Sequence, residues 1–370
     1  MKLTRAFSRF YTTCNFINHK SPIPKTPIAF AFDIDGVLLH SKTPIPKAIE
    51  TLKYLKTNKI PFILLTNGGG YTEKIRLDSL NSLLSNTNIE IDQLVQSHTP
   101  MKYLTNKFNN VLVIGGIDPF TRDAAINYGF KKVLRPIDLV KENPNIWPFV
   151  KYSKEEIDKY SISFNINEPI DAIMVFNDPR DMGTDLQIIL DLLCSKNGLI
   201  GTKRDYISNK PSIPIIFSNN DLLWSANYKI PRFGQGAFRI AIRELYKELN
   251  NGNELNDTVY GKPQIESYAF ADKVLIDYWR KLNNLKSIGS ELTFLQSYSN
   301  EYFDNVVMVG DNPKSDIAGG NNFGWETALV KTGVYKDGDF EIDRNLSKPT
   351  LGVFNDVFDA VMQSIEKVRK

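Results

Sequence analysis

The sequence predicts an α/β protein: a doubly wound, parallel, Rossmann-like sheet that carries an inserted α/β unit. Three observations lead there. Short apolar runs of strand length end abruptly in polar residues. Between them lie segments whose apolar residues recur at helical spacing. The alternation starts near residue 28, restarts after residue 93 and returns near residue 232. Strands and helices alternating in this way build a parallel sheet with helices packed on its faces.

Residues 27–32 read as a buried strand that stops at Asp33-Ile34-Asp35-Gly36. In 46–58, Ala48, Ile49, Leu52 and Leu55 share one helix face. Residues 61–65 form a second strand, ending at Thr66-Asn67 and Gly68-Gly69-Gly70, and a helix follows over 72–84. The restarted pattern has strands at 111–114, 172–176 and 213–217 and a helix over 185–194. Its first strand leads into Gly115-Gly116, its second to Asp178 and its third to Ser218-Asn219-Asn220-Asp221. The polar stretch 142–167, with Pro144 and Pro148, reads as a long loop. A returning helix spans 232–250, and Gly261-Lys262-Pro263 marks a turn before a long helix through Ala271, Leu275 and Tyr278. A strand at 306–309 ends in Gly310-Asp311, a helix follows over 315–323, a strand over 327–330 and a last helix over 353–368. The expected division is a leader and linker over 1–27, a core of 28–92 plus 232–370, and an inserted unit over 93–231.

The chain of 370 residues is 42% hydrophobic and 24% charged, a globular balance. No apolar run approaches the ~18 residues of a transmembrane helix. Its two cysteines, Cys14 and Cys194, define neither a disulfide framework nor a metal cluster. The net charge is +3, and residues 1–32 hold five basic residues and no acid, which leaves −2 for the rest. The basicity therefore belongs to the tail and is no nucleic-acid footprint. Residues 1–13 combine basic, hydroxylated and apolar residues, with Leu3, Phe7 and Phe10 on one helix face. That is the composition of a mitochondrial presequence, and the expected address is the matrix. Oligomeric state leaves no mark on the sequence.

Asp33-x-Asp35 alone reads equally well as a solvated turn. Its weight comes from the other strand ends: Thr66-Asn67, Lys262, and Asp311 with Asp316. In a parallel sheet all C-terminal strand ends lie along one edge, where residues distant in sequence can meet. A carboxylate nucleophile needs positive charge to offset its repulsion from an anionic electrophile. Phosphoryl transfer suits this set, because a divalent cation, a lysine and amide or hydroxyl donors can spread charge over the equatorial oxygens. Uncatalysed hydrolysis of phosphate monoesters is so slow that accelerations reach ~10²¹-fold, more than one group supplies.

These four segments resemble the four motifs of the haloacid dehalogenase superfamily of phosphatases, in the same order and on the same elements. The insertion resembles the C2-type cap of class IIA. Pro44-Ile45-Pro46, Asn67-Gly68-Gly69 and Gln96-Ser97-His98-Thr99-Pro100 resemble more narrowly the eukaryotic branch named after the cat eye syndrome critical region protein 5. The resemblance implies a phosphatase acting on a small phosphorylated metabolite. It implies that Asp33 attacks phosphorus and that Asp35 protonates the leaving oxygen and later deprotonates water. It implies Mg²⁺ held by Asp33, the Asp35 carbonyl and Asp311, with Asp316 in support. Thr66, the amide of Asn67 and Lys262 would bind phosphoryl oxygens. Asn219 and Asp221 resemble a cap segment that faces the substrate. His98 reads either as a satisfied polar residue at the hinge between core and cap or as a contact with substrate or cap. A second class of function, a catalytically silent binding or scaffold protein of mitochondria, would keep the fold without the turnover.

Overall fold

The strand Thr26–Phe32 alternates alanine and phenylalanine, and this alternation organises the first sheet in a computed structural model of the protein. Residues 24–85, 87–224, 228, 230–288 and 297–368 are described. The expected presequence lies outside them. Phe30 and Phe32 face a layer built by Ala48–Thr57, Glu73–Leu83 and Val357–Val368. Ala29 and Ala31 face the other way, where their small side chains admit Tyr268 and Trp279 of the long helix Ile265–Leu282. Both layers exclude water, and each fully buried Phe contributes roughly 1.5–3 kcal/mol.

The first sheet has six strands, in the order Gly352–Phe354, Glu326–Val330, Phe303–Gly310, Thr26–Phe32, Phe62–Leu65 and Leu94–Val95. Every pairing in it is parallel. Phe32 pairs with Val309 and with Leu64, so Asp33 emerges between the ends of the two neighbouring strands. The second sheet has five strands, in the order Thr258–Val259, Ile215–Phe217, Ala172–Val175, Asn110–Ile114 and Lys132–Leu134. It too is parallel throughout. Helices Met182–Leu193 and Gln235–Leu249 cover one face through Ile189, Phe238 and Ile242, and Phe120–Tyr128 covers the other through Ala124 and Ala125.

Four local expectations differ from what forms. The stretch 142–167 contains the helix Lys154–Tyr160, started by a capping box in which Ser153 accepts from the Glu156 amide and Glu156 from the Ser153 amide. The last helix begins at Val357, because Asp356 caps the Asp359 amide; Gly352–Phe354 instead adds an edge strand to the first sheet. The helix Ala318–Phe323 is entered through a wider π-type turn over Pro313–Ile317. Finally, Phe238, Ile242 and Tyr246 of the returning helix pack in the second unit's core, and Thr258 pairs with Ile216. The second layer thus draws on the chain to Val259, past the boundary expected at 231.

Candidate active site

Asp33, Thr66 and Asp311 each follow the last residue of a parallel strand and so share one edge of the first sheet. Lys262 reaches that edge from the turn that returns the chain from the second unit. Its ammonium lies 2.8 Å from Asp33 Oδ1 and 2.7 Å from Asp316 Oδ1, and donates to the Leu65 carbonyl at 2.9 Å. Burial alone would lower the Lys262 pKa, but the carboxylates of Asp316 and Asp33 reverse this and hold it above its ordinary value. The lysine is therefore a fixed positive charge beneath the Asp33 carboxylate.

Carboxylate oxygens of Asp33, Asp311 and Asp316 all lie within 4.8 Å of one another. Asp316 is fully buried, and its Oδ2 accepts from the amides of Asp311 at 3.1 Å and Asn312 at 3.0 Å. With Oδ1 on Lys262, both of its oxygens are engaged within the protein. Burial pushes its pKa up to about 6 against the pull of Lys262. Asp311 accepts from the Val334 amide at 2.6 Å, and burial with the charges of Asp316 and Asp33 drives its pKa well up. Such crowding of like charges is relieved by a bound cation. The space around Asp311 is shaped by absent side chains: a Cβ on Gly333 would come within 1.9 Å of Asp311 Oδ2, and one on Gly36 within 2.4 Å. Gly36 also has φ near +85°, a conformation other residues rarely take. The donor set is all oxygen, which suits a hard divalent cation such as Mg²⁺.

Asp35 lies on the same turn with its side chain open to solvent. Its side chain keeps 57% of its surface in solvent and lies 3.8 Å from the Arg76 guanidinium. Burial of the surrounding turn raises its pKa and Arg76 opposes this, with solvent screening both effects. Thr66 accepts from the Gly68 amide through Oγ1 at 2.9 Å, which closes the turn after the strand. Asn67 binds across to the Lys262 turn: its Oδ1 accepts from the Lys262 amide at 2.8 Å, and its Nδ2 donates to the Lys262 carbonyl.

The second unit meets this edge through Asn219 and Asp221. Asn219 Nδ2 donates to the Asn67 carbonyl at 3.1 Å, and Asp221 Oδ2 accepts from Asn67 Nδ2 at 3.0 Å. Burial pushes the Asp221 carboxyl up to about 6, partly offset by Asn67 and Lys262. His98 is placed differently. It is fully buried, stacked on Phe176, with Nε2 accepting from the Gly70 amide and Nδ1 against the Tyr128 hydroxyl at 2.7 Å. Both nitrogens are engaged within the protein. His98 is thus a satisfied polar residue between the Gly70 loop and the second unit, which it touches through Tyr128 and Phe176.

Sequence reasoning passed over Arg76 and the Gly333-Val334 turn. Arg76 stands in the first turn of the helix after the glycine run, a place from which a side chain can reach the cleft. Nothing local marks Gly333, which matters only through its approach to a residue 22 positions earlier.

The chain belongs to the haloacid dehalogenase-like hydrolases: residues 30–131 match the family described as haloacid dehalogenase-like hydrolase, and residues 259–360 match a second, HAD-hydrolase-like family. It is 49% identical over 345 residues to a mitochondrial hydrolase of Saccharomyces cerevisiae, covering 92% of this chain and 96% of that protein. It is 41% identical over 337 residues to a cardiolipin synthase (CMP-forming)/mitochondrial hydrolase fusion protein of Schizosaccharomyces pombe, covering 90% of this chain and 53% of the fusion. Among solved structures, the p-nitrophenyl phosphatase of Archaeoglobus fulgidus shares the fold, with a TM-score of 0.57 at 20% identity over 92% of this chain and all of that one. NagD of Escherichia coli shares it with a TM-score of 0.52 at 18% identity, over 90% and 98% of the two chains.

Proposed function

We propose that this hydrolase is a Mg²⁺-dependent phosphatase that cleaves a small phosphorylated metabolite through an aspartyl-phosphate. One observation carries the reading: the Asp33 carboxylate is held 2.8 Å from a buried lysine, with Asp311 and Asp316 gathered beside it. In this reading Asp33 attacks phosphorus, and the phosphorus–oxygen bond to the leaving group breaks. Asp35 gives its proton to the leaving oxygen, takes one from water, and the resulting hydroxide attacks the aspartyl-phosphate to release phosphate and restore Asp33. Lys262 and the backbone amide of Asn67, with Thr66, neutralise and orient the phosphoryl oxygens. Asp33, the Asp35 carbonyl and Asp311 would hold Mg²⁺, which supplies Lewis-acid charge neutralisation at those oxygens. Asp316 orients Lys262 and the Asp311 backbone. Asn219 and Asp221, which bind Asn67 at this edge, are read as facing the non-phosphate part of the substrate, and an inserted unit beside the site favours a small one.

The phosphatase names of the structural neighbours support the reaction class. The names of the yeast relatives, together with the composition of residues 1–13, support a mitochondrial address, and the presequence reading refines it to the matrix. The test is release of phosphate from p-nitrophenyl phosphate, and then from a panel of phosphorylated metabolites, with Mg²⁺ and with chelator. Asp33→Asn is expected to reduce turnover at least roughly 10³-fold. Parent-like turnover in that variant would exclude Asp33 as nucleophile.

A further inference from the structure

Arg76 stands in the first turn of the helix Glu73–Leu83, where Thr72 caps the Ile75 amide. That end of a helix is the positive end of its dipole, so a cation there does nothing to stabilise the helix. The Arg76 side chain is only 25% exposed, yet among the described residues its guanidinium donates no hydrogen bond. Its ion pair with Asp35 Oδ2 is 3.8 Å long, beyond hydrogen-bond reach. Solvent around Asp35 screens that pair, which therefore holds the arginine weakly. A rigid fork of N–H donors is thus left without a partner among the described residues.

The space beside Asp35 is kept clear. A Cβ on Gly68 would touch the Thr66 hydroxyl at 3.2 Å and Asp35 Oδ2 at 3.9 Å. Gly68 has no positive φ, so its backbone conformation does not call for glycine. What its missing side chain does is leave both polar groups uncovered.

Asp35 also locates Arg76 relative to the reaction. An acid must come within ~3 Å of the oxygen it protonates, so the arginine nitrogen 3.8 Å from Asp35 lies within about 7 Å of the leaving oxygen. A charge-assisted bond from that nitrogen covers ~2.8 Å of this and leaves about 4 Å, the span of one or two carbon atoms. Arginine has donors only and stays charged, so the group it receives is an anion. A carboxylate fits better than a second phosphate. Its two oxygens match the fork, and one guanidinium that already faces an acid offsets one negative charge rather than two. Asp35 carries a proton in its role as acid, so a substrate carboxylate meets the guanidinium there without a second anion. We infer, on the strength of the phosphatase reading above, that Arg76 is a specificity residue: it receives a carboxylate borne by the leaving group one or two carbons from the ester oxygen, and the substrates are phosphate esters of small hydroxy acids.

The test reads binding on the full chain with Mg²⁺, by calorimetry. Phosphonopropionate carries a carboxylate and a phosphonate at opposite ends of a two-carbon chain, with carbon in place of the ester oxygen, so it is not hydrolysed. Its amide is the neutral match. The parent is expected to bind the carboxylate about 10–100-fold more tightly than the amide. Arg76→Gln, with circular dichroism and melting temperature matching the parent, is expected to abolish that ratio and keep the affinity for the amide. Arg76→Lys, which retains charge without the fork, is expected to keep part of it. Equal affinity of the parent for the two phosphonates overturns the assignment without any variant. A ratio that survives Arg76→Gln overturns it too, as does an equal loss for both ligands, which would make Arg76 a support for Asp35. Phosphate release is scored separately. Turnover of p-nitrophenyl phosphate by a parent that does not prefer the carboxylate defeats this assignment alone. Carboxylate-selective binding without turnover of any ester defeats the phosphatase reading alone.

Discussion

At the scale of single residues, the site depends on side chains that are missing as much as on those present. Gly333 and Gly36 leave room for the Asp311 carboxylate, and the Val334 amide fixes its direction. Gly333→Ala forces that carboxylate aside without changing any charge. Mg²⁺ affinity, read by calorimetry on protein with no substrate, is expected to weaken about 10–100-fold, the usual effect of disturbing the groups that orient a metal ligand. Unchanged affinity would remove Asp311 from the metal site. Asp316 shows a different economy of contacts: with two amides and a lysine on its oxygens, it organises the site from beneath.

At the scale of elements, His98 ties the glycine loop after the strand Phe62–Leu65 to the second unit. Its Nε2 accepts from Gly70, so the neutral ring carries its proton on Nδ1, donates to Tyr128, and Tyr128 donates to Glu73. Burial lowers the His98 pKa to about 4, against the opposing pull of Glu73. The unfolded chain binds this proton at about 6.5 and the folded chain only near 4, so His98 costs stability as pH falls through that window. In urea titrations the parent is expected to lose about 3 kcal/mol across it that His98→Gln does not lose. Equal losses would mean that His98 is not held neutral.

Elements were legible where their signals are local. Apolar runs marked the strands around Phe30, Ile63, Val113 and Met308, because a strand buried on both faces needs no polar alternation. The helix at Lys154 carried a local signal too, the Ser153–Glu156 capping box, but its charged, exposed sequence lacks the apolar stripe that makes a helix conspicuous. The helix Gln235–Leu249 was readable as a helix, whereas the sheet it covers was not. Its Phe238 and Ile242 would suit either core, and only the pairing of Thr258 with Ile216 decides between them. The strand-end polar residues stood out in the sequence, while Arg76 and Gly333 act through contacts that no spacing encodes.

At the scale of the whole molecule, two parallel sheets meet along a seam of hydrogen bonds among Asn67, Lys262, Asn219 and Asp221. Asn67 bonds to both the Lys262 turn and the second unit, so it fixes the one against the other. The intracellular address is separable from this architecture. Residues 1–30 fused to a fluorescent reporter are expected to carry it into mitochondria, seen by co-localisation with a matrix marker. A cytosolic reporter would overturn that reading.

The salt bridges of Lys262 also set a clock. The lysine touches Asp33 and Asp316, groups separated by most of the chain, and it arrives from a turn that follows the entire second unit. At synthesis rates of about 5–20 residues per second, Asp33 precedes Asp316 by tens of seconds. During that interval the nascent chain holds the Asp33 carboxylate without the full set of charges that the fold gathers around it. A chain terminated before Asp316 lacks one of the two carboxylates that hold Lys262, and it is expected to release no phosphate where the full chain does.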